Sequence, residues 1–368
     1  KGPGSYFSGL FCDLCLMKSV KWGRMGAMMP LLILIVAEAL WGMVAGLWLA
    51  VAWGLGELLY YGVRHRRLEK SSLWDMGLLL VLGLVALALE GPLLERLRPL
   101  IYLSLLLLMV GLSAFSKHNL MLAATGRFMK VNPIGPWAAY LMRASLQRMF
   151  VWMAVYTLLL VAALLYGPPV EGWTASWGWL PFLLGFFVAE QLLKRRQQGR
   201  WRKEEWLPLV AADGKILDAA PRSMVHRGKE RWLHPVVHVQ LLRQGGLWLQ
   251  KRPAHKLVQP GKWDTAVGGH VAAGESLEKS LQRETSEEIG VALAEVQHLG
   301  RYEWQSELER ELVYTFVLKH EGPLRPHPEE LDGGRVWSFD EIEAQLGKGV
   351  FTPNFEYEYQ RYRTVLRA

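Results

Sequence analysis

Apolar residues divide the chain into two unlike halves. Up to Glu190 they come in long, almost uncharged runs, at about residues 29–43, 44–63, 73–90, 99–116, 146–167 and 174–193. Beyond Trp206 they come in short alternating strings broken by turn residues. An α-helix needs roughly 20 apolar residues to cross a bilayer, and most of these runs reach that length; Leu103 to Ser116 carries no charge at all. The pattern predicts a polytopic α-helical membrane domain of six spans over residues 27–195. The first run is short, with Pro30 and Gly42 at its ends, which suits a tilted span or half of a hairpin. Glu38 and Glu57 fall inside these runs, where a carboxylate is costly. They are expected either to form a polar lining or headgroup contact, or to be satisfied by a helix neighbour.

In the second half the period shortens. Trp206 to Leu217 reads as strand, turn at Asp213-Gly214, and strand. Val236 to Leu242 and Leu247 to Lys251 alternate around Gly245-Gly246, the pattern of a β-hairpin. Leu277, Leu281, Thr285 and Ile289 recur four apart and predict a helix from Ser276 to Ile289, its inner stripe apolar except for the threonine. Further strands are expected at Val313–Leu318 and Arg335–Phe339, with helices at Asp340–Gly347 and Asn354–Leu366. A mixed sheet between helices, an α/β/α sandwich over residues 207–368, accommodates this order. Residues 196–206 form a linker.

Charge sharpens the division. The chain of 368 residues holds 42 Lys and Arg against 34 Asp and Glu, a net charge of +8. Such an excess could serve nucleic acid, but the basic residues gather at the ends of the apolar runs, so no nucleic-acid partner is expected. Lys18, Lys21 and Arg24 precede the first run, and Arg64, Arg66, Arg67 and Lys70 follow the second. Lys117, Arg127, Lys130 and Arg143 follow the fourth, and Lys194, Arg195 and Arg196 the sixth. The remaining connections are shorter and poorer in basic residues. By the positive-inside rule both termini and the second half lie in the cytoplasm. Residues 119–140 are then a cytoplasmic interfacial connection, and the basic stretch Lys194 to Lys203 suits anionic lipid. Cys12 and Cys15 are too few for a zinc site. Gly2 to Ser5 resembles a cloning scar, so residues 1–26 are expected to be a leader, with the natural start at Met17, Met25 or Met28.

The helix from Ser276 carries the chemistry. Glu284, Glu287 and Glu288 stand at i, i+3 and i+4 on one face, and three neighbouring carboxylates repel one another unless a cation joins them. Hard oxygen ligands favour Mg2+ or Mn2+. A bare E-x-x-E-E face would read as solvated surface, but its flanks change that. Gly269, Glu275 and the run Arg283-Glu284-Thr285-Ser286-Glu287-Glu288-Ile289-Gly290-Val291 resemble the signature of the Nudix hydrolases at nearly every fixed position. The departure is Thr285, where that family has an aliphatic residue. The resemblance implies a loop-helix-loop that holds divalent metal against a diphosphate. Arg283, four residues before Glu287, would hold that carboxylate in its pose and stand at the substrate.

Within that family the sequence is similar to the branch containing isopentenyl diphosphate isomerase. Ala220-Pro221-Arg222, His226-Arg227, Leu233-His234-Pro235, Pro260 to Asp264, Gly269-His270 and Glu309-Arg310-Glu311 carry the likeness. It implies that His226, His234, His270, Glu309 and Glu311 bind one metal, that Glu288 helps bind a second, and that Arg252 and Lys256 contact diphosphate. His238 is expected to be structural. Two positions depart from the isomerases: Gly268 stands where they have the catalytic cysteine, and Asn354 where they have a tryptophan. Shifting a double bond needs a proton donor and acceptor, which glycine is not, so hydrolysis is the expected reaction, with Glu284, Glu287, Glu288 and Glu311 as its carboxylates.

Residues 25–195 resemble the intracellular septation protein A family in their run of spans and in the basic loop Arg64 to Lys70. That implies a bacterial inner-membrane setting and cell-division or envelope partners. The combined expectation is a membrane-held Nudix hydrolase of a nucleotide-derived or isoprenoid or lipid diphosphate. The alternatives are an envelope scaffold whose Nudix domain senses a ligand, an isomerase, and a transporter.

Overall fold

Among the described residues, four long helices occupy the first half. The computed structural model of the protein describes residues 33, 37, 41–65, 92–116, 135–167, 178–227, 231–256, 258–293, 295–307 and 309–368. The chain divides into two compact units, Lys1–Ile134 with Ala138–Arg195, and Gly135–Trp137 with Arg196–Ala368.

In the first unit, α1 (Met43–His65), α2 (Pro92–Phe115), α3 (Pro136–Tyr166) and α4 (Trp179–Trp201) coincide with the second, fourth, fifth and sixth apolar runs. The first and third runs, and Glu38 with them, lie outside the described residues. Glu57 lies in α1. Proline at the first helical position loses no hydrogen bond and pre-sets φ, which lets α3 begin at Pro136. Its first turn therefore takes in residues 136–140, which the sequence assigned to an interfacial connection; residues 119–134 of that connection lie outside the described residues.

Among the described residues one helix is long and apolar enough to cross a membrane. It is α3, with 31 residues and a mean hydropathy of 2.2 over its most apolar 18-residue stretch, about 46 Å long at 1.5 Å per residue. Shorter apolar stretches run from Ala45 to Gly56 and from Pro99 to Phe115. A six-span domain is thus not established by these helices.

All four helices carry large apolar side chains on their outer faces, among them Trp48, Leu108, Leu158 and Phe187. Contacts between helices are aromatic and polar. Phe150 of α3 lies over Gly111 of α2, where a Cβ would press on the ring. The Trp152 ring lies 4.9 Å from that of Phe182, whose carbonyl accepts its indole N–H at 2.8 Å. Beside them Arg148 forks onto Glu190, Nε to Oε2 at 2.9 Å and Nη2 to Oε1 at 2.7 Å, with the Ser145 hydroxyl on the same carboxylate. Glu190 is buried. The sequence pattern singled out Glu38 and Glu57 as the carboxylates of interest and passed over this one.

In the second unit, β1 (Trp206–Val210) and β2 (Ile216–Pro221) form a separate antiparallel pair, turned at Gly214 with φ 85°. A short helix, α5 (Arg222–Arg227), follows. The main sheet holds β3 (His234–Arg243), β4 (Gly246–Lys251), β5 (Trp263–Asp264), β6 (Val267–His270), β7 (Val296–Gln305), β8 (Arg310–Lys319) and β9 (Gly334–Trp337). The path is β5-β4-β3-β8-β7, with β6 on β3 and β9 on β4. Strands β3 and β8 run parallel, and the other pairings are antiparallel. The β3–β4 hairpin turns through Gln244 and Gly245, both at positive φ, the two-residue turn that the glycines announced.

Strand alternation sends β3 side chains to two different cores. Val237, Val239 and Leu241 meet Leu281 and Ile289 of α6 (Leu277–Ile289). On the other face Leu242, with Leu247, Leu249 and Val317, meets Phe355 and Tyr359 of α8 (Pro353–Leu366), beside α7 (Phe339–Gln345). Helices on both faces of a mixed sheet make this unit an α/β/α sandwich.

Candidate active site and metal centre

Helix α6 is held at both ends by its own sequence. The Ser276 hydroxyl accepts from Lys279 N–H at 3.3 Å, and Gly290 closes the helix in the left-handed region at φ 70°. Thr285, the polar residue in the apolar stripe, is fully buried and donates its hydroxyl to the Leu281 carbonyl at 2.7 Å. Bonding back one turn is how a hydroxyl is tolerated there.

On the opposite face Arg283 organises the carboxylates. Its Nε and Nη2 reach the two Glu275 oxygens at 3.1 and 2.9 Å. Its Nη1 reaches Glu284 at 2.7 Å and Glu287 at 3.3 Å, and Nη2 also donates to the His270 carbonyl at 3.0 Å. The guanidinium is spent on these bonds, and its bonds to Glu275 above all hold its pKa far up. Arg283, expected at the substrate, has its donors on these three glutamates and the His270 carbonyl.

Glu284 lies against Gly269, where any Cβ would collide with its carboxyl group. That close approach is the physical reason for the glycine. Glu288 is buried and accepts from Gly268 N–H at 3.3 Å and Gln250 Nε2 at 3.4 Å. Burial first, and then the charge of Glu284, push it up to about 8. Burial also raises Glu284, against the pull of Arg283. Glu287 is exposed. The face is built so that its carboxyl groups are short of positive charge.

A second group gathers where α5, the start of β3 and the end of β6 meet. The rings of His226, His234 and His270 lie 5.0 to 5.4 Å apart, and one nitrogen of each falls within 4.8 Å of the others. All three Nε2 atoms are buried without a hydrogen-bond partner. His234 Nδ1 lies 3.1 Å from the Trp232 carbonyl, which places the proton on Nδ1 and leaves the Nε2 lone pair facing inward. Burial, then neighbouring charge, lowers His226 to about 4 and His270 well below its ordinary value; burial takes His234 to about 4 against the Trp232 bond. Neutral imidazoles with orphaned lone pairs are what a divalent cation binds, so the residues fit an ion.

Of the five residues expected to share one metal, the structure gathers these three. Glu309 Oε1 sits 3.7 Å from His226 Nδ1, the outer nitrogen of that ring. Glu311 is level with His234 across the parallel β3–β8 pair; burial and the charge of Glu309 push it up to about 8.

Arg252 and Lys256, expected at the diphosphate, lie beyond β4. Arg252 bonds Asp264 at 3.1 Å and the Val258 carbonyl at 3.2 Å, and Lys256 bonds Glu330 at 2.8 Å. The Asn354 side chain accepts from Tyr302 OH at 2.6 Å. Reasoning from sequence missed Gln250 and Glu358. An acidic residue among Phe355, Tyr359 and Tyr362 on the buried stripe of α8 was the available signal for Glu358.

A mixed sheet flanked by helices, with a glutamate helix closed on a glycine strand, defines a phosphoanhydride-cleaving enzyme of known type. The family model described as "NUDIX domain" matches residues 232–355. An uncharacterised Nudix hydrolase of Yersinia pestis is 30% identical over 152 residues, 41% of this chain and 81% of that protein. One from Pseudomonas aeruginosa is 37% identical over 34% of this chain and 72% of its own length. A protein named isopentenyl-diphosphate Delta-isomerase from Mycolicibacterium vanbaalenii is 29% identical over 36% of this chain and 76% of its own length. The chain belongs to the Nudix hydrolases, and it is a Nudix-type hydrolase acting on diphosphate linkages.

Proposed function

We propose that this hydrolase depends on a divalent metal, Mg2+ or Mn2+, and cleaves a diphosphate bearing a group X at the cytoplasmic face of a membrane. The observation that carries the reading is the face of Glu284, Glu287 and Glu288, with Arg283 bonded to the first two, Glu284 packed on Gly269 and Glu288 on Gly268 N–H. These carboxylates would hold the ion, and His226, His234 and His270, with Glu309 and Glu311 beside them, would hold a second. Such ions supply charge stabilisation for the phosphoryl oxygens in flight and activate water. The chain's own part is to aim the carboxylates, through Arg283, and to take up the proton of the attacking water on a glutamate, of which Glu311 is the one closest to the histidines in register.

Membrane anchoring is supported by the outward apolar side chains of α1 to α4, by the length of α3, and by the basic end of α4 from Lys194 to Arg200. Soluble proteins rarely expose apolar surface on such a scale. Anchoring raises the effective concentration of lipid-linked substrates, which favours an isoprenoid or lipid diphosphate over a nucleotide derivative. An inner-membrane setting with envelope partners belongs to the same proposal and rests only on the sequence resemblance of residues 25–195 to septation proteins. Isomerisation is disfavoured, because Gly268 offers no thiol.

The test is the full-length protein in lipid nanodiscs with Mg2+, given a panel of nucleoside and prenyl diphosphates. Phosphorylated products should appear, fastest with a prenyl compound, and alkene position should not change. Isomerisation without hydrolysis, or no turnover of any diphosphate, would overturn the proposal.

A further inference from the structure

Consecutive residues of β6 point to opposite faces of the sheet. Gly269 faces Glu284, whereas a Cβ on Gly268 would lie 3.7 Å from both Nε2 and Cδ2 of His238 and 3.8 Å from Thr265 Cγ2. Gly268 is exposed although its neighbours Val267 and Gly269 are buried. The missing side chain thus opens a recess, with backbone for its floor and the outer edge of the His238 ring for a wall. One α6 carboxylate reaches the strand at the edge of this recess, Glu288 Oε2 accepting from Gly268 N–H at 3.3 Å.

The inner edge of the same ring is locked. His238 Nδ1 lies 3.1 Å from Glu358 Oε2, which also accepts from Gln240 Nε2 at 3.0 Å, and Thr315 Oγ1 donates to Glu358 Oε1. A carboxyl group on Nδ1 fixes which nitrogen carries the proton and which way the ring faces. Burial opposes charge on the ring. Glu358, through its charge and its hydrogen bond, outweighs that, and with Asp264 and Glu311 pushes His238 up to about 9. The ring, held in one pose by Glu358 and favoured in its charged form, presents Nε2–H to the open recess. A histidine serving only the core would have no reason to face a strand position stripped of its side chain.

The geometry points to His238 as a substrate-contacting residue, its Nε2–H donating to a phosphoryl oxygen of the diphosphate lodged over Gly268. Glu358, Gln240 and Thr315 are its positioning residues. The inference rests on the hydrolase reading for the presence of a diphosphate there.

The probe is methylenediphosphonate, a diphosphate that cannot be hydrolysed, titrated calorimetrically into full-length detergent-solubilised protein with Mg2+. His238→Gln should weaken its binding about tenfold or more and raise KM more than it lowers kcat. Gly268→Ala is the variant that keeps the test alive if His238→Gln fails to fold, since its methyl meets only ordinary contacts and its backbone is not left-handed. By filling the recess it should weaken the probe similarly. Both variants should retain the wild-type affinity for Mn2+ alone. Wild-type affinity for the probe in both variants would overturn the role of His238 while leaving the hydrolase reading intact. Failure of the wild-type protein to bind the probe at all would remove both.

Discussion

Replacing Glu288 by glutamine keeps the shape of the side chain and its acceptor for Gly268 N–H, but removes one negative charge from the proposed ion's surroundings. Charge stabilisation of a phosphoryl transition state by metal is worth several kcal/mol, so turnover should fall on the order of a hundredfold or more. Arg283→Ala should cost less, because the donors of Arg283 are already taken up by Glu275, Glu284 and Glu287; steady-state rates with one diphosphate settle the order. The same residues set how the metal-free protein responds to pH. Glu288 and Glu311, at about 8, and His238, at about 9, are raised above their unfolded values. Their stabilisation is complete at low pH and is lost as pH rises through those values. His226 and His234 are depressed to about 4, so their contribution is lost only as pH falls below about 6.5. Between pH 6.5 and 8 the raised groups act alone. Stability should fall there, by up to about 1.4 kcal/mol per pH unit for each proton released. Calorimetric Tm of chelator-treated protein should drop across this window, and saturating Mn2+ should reduce the drop to the share of His238 by stabilising the deprotonated carboxylates. A Tm that rises from pH 6.5 to 8 without metal would contradict these assignments.

At the scale of elements, legibility followed periodicity. Helix α6 was readable to within a residue because an apolar period of four, a serine cap and a terminal glycine all agree. The β3–β4 hairpin was readable because alternation flanks a two-residue turn. Strand β7 was not. Its sequence VQHLGRYEWQ has one buried position, and its pairing with β8 slips between His298 and Gly300, so no period of two survives. Strands β5 and β6, of two and four residues, are too short to show any period and are made by partners distant in sequence. The site divides in the same way. The glutamates lie on one helix and were legible from spacing. The histidine cluster assembles from three elements and was reached through family likeness, while the His238–Glu358 pair, 120 residues apart in sequence, had no local signal. The α3–α4 contact is another long-range pair. Glu190→Ala strips Arg148 of its fork, and because that side chain is 36% exposed and partly solvated, stability should fall on the order of 1 kcal/mol. Glu190→Gln, still an acceptor for one N–H and for Ser145, should cost less. Equal melting of both variants and wild type in detergent would show that the fork does not hold α3 to α4.

For the molecule as a whole, the question is what covers the apolar faces of α1 to α4. A soluble helical unit would turn Trp48, Trp53, Leu108, Leu112, Leu158 and Phe187 inward; here they face out, and burying each such side chain is worth about 1.5–3 kcal/mol. Many residues of that kind would favour hydrocarbon, as the proposed anchoring requires. On the proposed anchoring, Arg195, Arg196, Arg200, Arg202 and Lys203, at and beyond the end of α4, would lie on the side of the bilayer that basic residues keep. Two measurements follow. The full-length protein should stay with membranes through an alkaline carbonate wash, which releases proteins held by charge alone. Reporter fusions after Lys70 and after Arg196 should both report cytoplasm, and one after Gly91 the opposite side. Release by carbonate would remove the anchor. A reporter at Arg196 on the far side would keep the anchor but separate the glutamate face of α6 from cytoplasmic nucleotides, leaving only diphosphates on that side as substrates.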